Sequence, residues 1–463
     1  MLTVFDDDVR VERGRVRVVR EAALRTAKMD ALVREAVFGL GQSRDHAQWL
    51  IWEIGQSVGV QPASIHDLYM ARSRGEIGGF TVPAINVRAM AYDTARAIFR
   101  VAAGIGAGAF ILELARSEMA YTDQRPREFA AVMIGAALRE GFRGPLFLQG
   151  DHFQVNAAHF AIDPVGEIAA VKQLAQEAIA SGFYNIDVDT SPLVDLTQPS
   201  LDEQQRPNYE AAADIAAYVR EIEPRGTTIA LGGEIGEVGA HNSTVAELRA
   251  FGTGFAHALE RRAGAAPGLA KVSVHTGTMH GGIVQPDGSL ADLTPDVAML
   301  TELSRVARTE FGMGGAVQHG ASTLPSDIFH QFARAETAEI HLATRFQNIL
   351  FDSIPGELRQ RAYRWLDANA GADRRPADTD AQFYYRARKR ALGPFKRELW
   401  DLPDIEKDRI ADEYDRALGA LFAQLGIAGT RDIVTAHVRP AVQHRRRVPD
   451  GRATPARGTK AAG

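Results

Sequence analysis

Three histidines stand at the ends of predicted strands, each followed by a small or apolar residue. They are His152 in Leu148-Gln149-Gly150-Asp151-His152, His280 in Gly277-Thr278-Met279-His280-Gly281-Gly282, and His319 in Gln318-His319-Gly320-Ala321-Ser322. Three neutral imidazoles that leave a fourth position open are the donor set of a catalytic zinc ion, and they also suit Co²⁺ or Fe²⁺. Asp151 sits directly before His152, where a proton-transfer group is useful. Asp187, Asp189 and Glu234 close other predicted strands, and His275 follows a further one. A single histidine there can be structural, and a single aspartate can cap the next helix. The joint pattern is what points to a metal site. Gly281-Gly282 and Gly320-Ala321-Ser322-Thr323 offer backbone N–H groups that suit a substrate phosphate, and the same residues fit an ordinary loop.

These residues need elements that gather them. Short apolar runs bounded by Gly, Pro and Asp predict eight strands: Phe80–Asn86, Ala109–Leu114, Pro145–Gln149, Asn185–Asp189, Thr227–Glu234, Lys271–His275, Gly315–Gln318 and Glu339–Leu342. Amphipathic segments such as Tyr92–Gly104, Pro126–Glu140, Gly166–Ser181 and Thr294–Phe311 alternate with them as helices. Alternation of this kind implies parallel pairing with right-handed crossovers. Eight units over about 265 residues fit an α/β chain folded as a (β/α)8 TIM barrel, whose active site lies at the C-terminal strand ends. A doubly wound open sheet is the alternative, but no GxGxxG opens a helix after the first strand. Residues 1–78 read as mostly helical, with 1–64 an N-terminal helical extension. The barrel spans 65–352 and a C-terminal helical extension 353–438. That extension holds the basic, aromatic segment Gln382–Arg390. Residues 439–463 are expected to form a disordered tail, with Arg445-Arg446-Arg447 solvated.

The 463 residues are 45% hydrophobic and 24% charged, as in an ordinary globular protein. Lys+Arg number 53 against Asp+Glu 58, a net charge of −5. That balance argues against nucleic acid as the main partner. With no cysteine, disulfides, thiolate metal sites and a Cys nucleophile are excluded. No apolar run approaches a membrane span, and Met1–Arg20 lacks the apolar core of a secretory signal. A cytoplasmic protein is expected.

Several motifs occur in one order: Thr81-Val82-Pro83-Ala84-Ile85-Asn86, Asp151-His152, Ile186-Asp187-Val188-Asp189-Thr190-Ser191, Gly233-Glu234-Ile235-Gly236, Gly277-Thr278-Met279-His280-Gly281, and His319-Gly320-Ala321-Ser322-Thr323-Leu324-Pro325. From about Ile65 to Asp352 the chain resembles the class II (zinc-dependent) fructose-bisphosphate/tagatose-bisphosphate aldolases. The resemblance implies that His152, His280 and His319 hold Zn²⁺, with Asp189 and Glu234 lining the site or offering another metal position. A second divalent or a monovalent cation is also admissible. It implies that Asp151 is the acid/base for the hydroxyl at the bond being cut. Gly281, Gly320, Ser322 and Thr344 would contact phosphate, with Asn86 and His341 as further substrate contacts. The implied reaction is reversible cleavage of a phosphorylated ketose to dihydroxyacetone phosphate and an aldehyde, by a homo-oligomer (dimer or tetramer).

The chain also departs from the family pattern. The loop after Glu234 lacks the usual acidic pair, which leaves Glu237 or His241 to protonate the carbon. The family's last-strand asparagine is His341, and its second-strand serine is Ala115. No Schiff-base lysine is required, and none stands clearly on a late barrel strand. Arg386, Arg388 and Arg390 could receive a second phosphate or cover a neighbouring subunit, the latter being preferred. The alternatives are a non-catalytic or regulatory aldolase-like barrel subunit, or a metal-dependent aldolase or isomerase acting on a different acidic sugar.

Overall fold

Strands buried on both faces need no polar alternation, and the eight predicted runs form such strands in the computed structural model, which describes residues 5, 7–12, 14–236, 241–279 and 281–447. The barrel strands are β4 (Val82–Asn86), β5 (Ile111–Ala115), β6 (Gly144–Gln154), β7 (Asn185–Asp189), β8 (Ala230–Glu234), β9 (Lys271–Val274), β10 (Ala316–Gln318) and β11 (Glu339–Leu342). Each pairs in parallel with the next, and β11 pairs with β4 to close a (β/α)8 barrel. Helices such as Ala91–Gly104, Pro126–Glu140, Pro164–Ser181 and Val297–Phe311 return the chain between strands.

β6 runs five residues past its predicted end, so Asp151 and His152 lie within it. Its register against β7 shifts between Gly150 and Phe153, and His152 takes φ 39°, uncommon for a residue with a Cβ. A bulge of this kind re-aims side chains. Gly150 makes it possible, since a Cβ there would meet the Phe153 ring at 2.4 Å.

The N-terminal segment has the expected helices, Ala27–Phe38 and Gln42–Val58, and three strands that were not expected. β1 (Val9–Glu12) and β2 (Arg15–Val18) form an antiparallel hairpin. β3 (Val60–Ala63) pairs in parallel with Gly144–Phe147 at the start of β6, below the point where β7 joins. Asn185 seals that seam. Its Oδ1 accepts from Ile65 N (2.8 Å), and its Nδ2 donates to Ala63 O (3.1 Å) and Leu148 O (2.9 Å).

In the C-terminal segment, helix Asp404–Gln424 packs on Ala91–Gly104, with Arg100 reaching both oxygens of Asp415. The expectation of a free tail from 439 fails as far as 447. Trp52 Nε1 donates to Gln443 O (2.6 Å), Trp49 Nε1 to Arg445 O (3.0 Å), and Arg445 N to Glu53 Oε1 (2.6 Å). The Arg445 guanidinium lies 3.3 Å from the Trp52 ring centre rather than in solvent. Composition flagged the polar tail, but the two indoles and the buried Glu53 provide the partners that hold it. No described helix is long and apolar enough to cross a membrane.

Candidate active site

A cavity of about 420 Å³ opens at the C-terminal ends of the strands. Asn86, Asp151, His152, His319 and His341 line it, together with Gly281, Gly320, Ser322 and Thr344 from the loops. These nine residues were singled out in the sequence. Glu237 and His280 lie outside the described residues. His241 does not line the cavity. It is exposed, and its Nε2 lies 2.9 Å from Glu247 Oε1 at the start of helix Val245–Ala263.

The bulge turns His152 so that its Nε2 faces His319 Nδ1 at 3.1 Å. Ring nitrogens tetrahedral about one zinc at 2.0–2.1 Å are about 3.3 Å apart, so this pair is close to ligating geometry. Donor atoms of His152, His319 and Glu234 all lie within 4.8 Å of one another. Two imidazoles and a carboxylate suit zinc. The other face of His152 is held by carboxylates, with Nδ1 2.8 Å from Asp189 Oδ2 and 3.2 Å from Glu234 Oε2. Asp189 is fully engaged, since its Oδ2 also accepts from Gln154 and its Oδ1 accepts from Ser191 N and Oγ. It therefore fixes the orientation of the His152 imidazole, the arrangement that a metal-ligating histidine would need. Burial and the neighbouring Asp189 charge push the Glu234 carboxyl up to about 8, against the pull of His152. Burial disfavours the charged form of His152, but Asp151 and Glu234 overcome it and raise its pKa well above the ordinary value.

A second polar layer lies beneath, where a barrel lumen commonly packs branched apolar side chains. Asp151 Oδ2 accepts from Asn86 Nδ2 (2.8 Å), and its Oδ1 lies 3.1 Å from His341 Nδ1. His341 Nε2 lies 2.7 Å from Glu339 Oε1, which also faces Lys271 Nζ at 2.5 Å. Lys271 Nζ lies 2.9 Å from Asp187 Oδ1 and donates to Gln149 Oε1 (2.8 Å). Tyr69 donates to Glu339 Oε2, and Glu113 Oε1 lies 3.2 Å from His341 Nδ1. All of these side chains are buried. Burial would raise the Asp151 pKa, yet His152 and His341 hold it well below the usual carboxylate range. Asp151 is thus an ionised carboxylate.

The lysine overlooked in the sequence is Lys271, which opens the sixth barrel strand and points into the lumen. Burial disfavours its charge, but Asp187 and Glu339 more than compensate and raise its pKa. An ammonium held in this way is no Schiff-base nucleophile. Sequence reading also missed Glu113, Gln149 and Glu339. The only signal was a polar residue in an otherwise apolar run: Glu113 in Ile111–Ala115, Gln149 in Pro145–Gln149, and Glu339 with His341 in Glu339–Leu342.

The cavity wall corrects a further expectation. The segment Gln382–Arg390 folds back over its own barrel, and Tyr385, Arg386 and Lys389 line the cavity beside Arg88. Tyr385 donates to Gly281 O (3.1 Å), Gln382 to Val284 O (3.0 Å) and Thr379 to Pro286 O (2.8 Å). The segment is therefore bonded to the loop that follows β9. Arg388 is buried against Tyr385 and Phe351, and Arg390 pairs with Asp373.

The sequence profile described as Fructose-bisphosphate aldolase class-II matches residues 71–391. No curated protein matches the chain. Among solved structures, a probable tagatose 6 phosphate kinase from Sinorhizobium meliloti 1021 is 16% identical, covering 76% of this chain and 100% of that one at a TM-score of 0.54. The fructuronate-tagaturonate epimerase UxaE from Cohnella laeviribosi is 14% identical, covering 91% of this chain and 89% of that one at 0.50. A fructose-bisphosphate aldolase from Campylobacter jejuni is 16% identical, covering 80% and 97% at 0.49. At such identities the first two show a shared fold and no more. The profile match spans more than half the chain, which belongs to the class II fructose-bisphosphate aldolase family.

Proposed function

We propose that this family member is a zinc-dependent aldolase. It would cleave and form a phosphorylated ketose of the fructose- or tagatose-1,6-bisphosphate type, giving dihydroxyacetone phosphate and an aldehyde. The carrying observation is the facing pair His152 Nε2 and His319 Nδ1, 3.1 Å apart, in one cavity with the ionised Asp151. His152 and His319, with His280 as third ligand, would hold the ion, and Glu234 is the alternative donor. Bound there, zinc supplies Lewis acidity toward the ketose carbonyl and the adjacent hydroxyl. Asp151, fixed by Asn86 and His341, takes the hydroxyl proton as the carbon–carbon bond breaks. Glu237 or His241 would return a proton to carbon, and His241 would have to leave Glu247 to do so. Gly281, Gly320, Ser322 and Thr344 receive the phosphate. The remaining expectations are a homo-oligomer, in the cytoplasm, acting on a small sugar phosphate.

Metal analysis and cleavage assays on both bisphosphates, with and without chelator, test this reading. Chelator-sensitive release of dihydroxyacetone phosphate supports it, and chelator-insensitive cleavage removes it. A second reading is metal-dependent chemistry on a different acidic sugar, favoured by the cationic wall of Arg88, Arg386 and Lys389. Fructuronate and tagaturonate, named for the Cohnella epimerase, are acids of that class and belong in the same assay panel. Bound zinc with turnover on neither class would assign the chain as a non-catalytic barrel subunit.

A further inference from the structure

Three of the six residues Gly277-Thr278-Met279-His280-Gly281-Gly282 are glycines, and all three take positive φ, 90°, 76° and 73°. Chain of this kind loses much conformational freedom when it is ordered. It carries His280, so whatever holds it in place bears on an ion bound there. The barrel holds the upstream side. Thr278 Oγ1 donates to His319 O (2.6 Å) and accepts from Gln318 Nε2 (2.7 Å), and Thr276 donates to Gln318 Oε1 (2.5 Å). The C-terminal segment holds the downstream side. Tyr385 donates to Gly281 O (3.1 Å), and among the described residues no other group does. The Tyr385 hydroxyl itself accepts from Asn348 Nδ2 (3.1 Å), on helix Thr344–Ser353 after β11. Asn348 Oδ1 in turn accepts from Arg388. The Arg388 guanidinium lies 4.5 Å from the Tyr385 ring centre and 5.1 Å from that of Phe351. Hydroxyl and ring of Tyr385 are thus both fixed.

We infer that Tyr385 is a positioning residue for the metal-binding loop: by fixing the backbone at Gly281 it restricts the preceding residue, His280, and raises the affinity for the ion. The inference rests on the proposed function for zinc and for His280 as its third ligand. It adds that a side chain 104 residues further along the chain, outside the barrel, sets how firmly the ion is held. Without this clamp the freedom of the glycines would be lost on metal binding instead of on folding, which weakens binding.

The test is zinc titration of the full-length protein, dialysed free of metal, in competition with a chromophoric chelator. Tyr385→Phe keeps the ring under Arg388 and removes the hydroxyl. It should weaken zinc binding about tenfold, the lower end of the losses seen when groups that orient metal ligands are removed. Tyr384→Phe is the matched control, since that hydroxyl, on the same helix, bonds Asp367 (2.9 Å) and not the loop. The control should stay within about twofold of wild type, as for an ordinary surface substitution. Linkage gives a second measurement that needs no variant. A clamp that favours the ion is favoured by the ion to the same extent, so zinc should slow hydrogen exchange in helix Asp380–Ala387 of the wild type. Equal zinc affinity in wild type and Tyr385→Phe, or an equal loss in Tyr384→Phe, would overturn the inference, as would exchange in that helix that ignores zinc. Those outcomes leave the zinc reading standing, whereas a wild type that binds no zinc would overturn both. Absence of ketose cleavage, read in the separate assay, counts against the aldolase reading alone.

Discussion

Replacing Lys271 with methionine keeps the side chain's reach and removes its charge. In the native lumen the ammonium is fully buried, 2.9 Å from Asp187 and 2.5 Å from Glu339. Removing one partner of a buried ion pair costs about 3–5 kcal/mol. The Glu339 carboxyl gives an independent figure. Burial raises its pKa, but Lys271 and His341 lower it further, from 4.5 to about 2. At about 1.36 kcal/mol per unit, that is roughly 3 kcal/mol. A carboxyl whose folded pKa is depressed contributes stability above its unfolded value and loses it as pH falls through the folded one. The wild type therefore carries this stability in full at pH 7 and loses it between about pH 4.5 and 2. Lys271→Met lacks the part that Lys271 contributes and keeps the part from His341. Urea unfolding followed by far-UV circular dichroism should show the variant about 3–5 kcal/mol less stable at pH 7, with the gap closing toward pH 3. A gap under about 1 kcal/mol at pH 7, or one that widens toward acid, would refute the charge balance assigned to this column. Borohydride treatment with substrate present should also leave no adduct, and a substrate trapped on Lys271 would overturn its role as a structural cation.

Three further outcomes follow from the same geometry. Asp151→Ala should retain zinc and lose about 10²–10⁴-fold in kcat, the contribution of a positioned acid or base; wild-type turnover in that variant would remove Asp151 from the mechanism. With Glu234 pushed up to about 8 and the His152 pKa raised, the metal-free site holds protons at pH 7 that zinc must displace. Zinc affinity should therefore rise with pH up to about 8, and calorimetry in buffers of different ionisation enthalpy should detect protons released, whereas a pH-flat affinity would contradict it. Truncation after Val438 removes the partners of Glu53, Trp49 and Trp52. It should cost about 1.5–3 kcal/mol and shift tryptophan emission to the red, and unchanged emission would show that the 439–447 strap is not bound in solution.

The eight barrel strands were legible because a strand buried on both faces is an apolar run, and Gly, Pro and Asp mark its ends. The candidate ligands were legible for a related reason. A barrel brings all its C-terminal strand ends to one mouth, so His152 and His319 meet although 167 residues separate them. The strands β1 to β3 were not legible because none is an apolar run: Val9–Glu12 and Arg15–Val18 alternate with charged residues, and Val60–Ala63 holds Gln61 and Pro62. Glu113 is a lone polar residue in an apolar strand, and Lys271 and Glu339 each open a four-residue strand that holds one other polar residue. Their charge partners on other strands lie at heights that only the register fixes. The wall made by Tyr385, Arg386 and Lys389 was misjudged because a basic, aromatic helix reads equally as a cover for a neighbour. Its three hydrogen bonds to backbone carbonyls at 281–286 leave no pattern in those positions.

The buried column explains why a barrel would carry such expensive charge. As the proposed base, Asp151 would need to be ionised and oriented. Asn86 fixes one oxygen and His341 the other, but an imidazole between carboxylates is fixed only if its far nitrogen is fixed as well. Glu339 does that, at 2.7 Å from His341 Nε2, and Lys271 in turn balances Glu339 with Asp187. Each member leaves the next with an unmet charge or donor if removed, and an unmet group in the lumen costs more than one at the rim. The column thus ties the geometry of the proposed base to the closure of β9, β10 and β11. The cavity-lining side chains Tyr385, Arg386 and Lys389 stand outside that chain of dependence, on a segment added around the barrel.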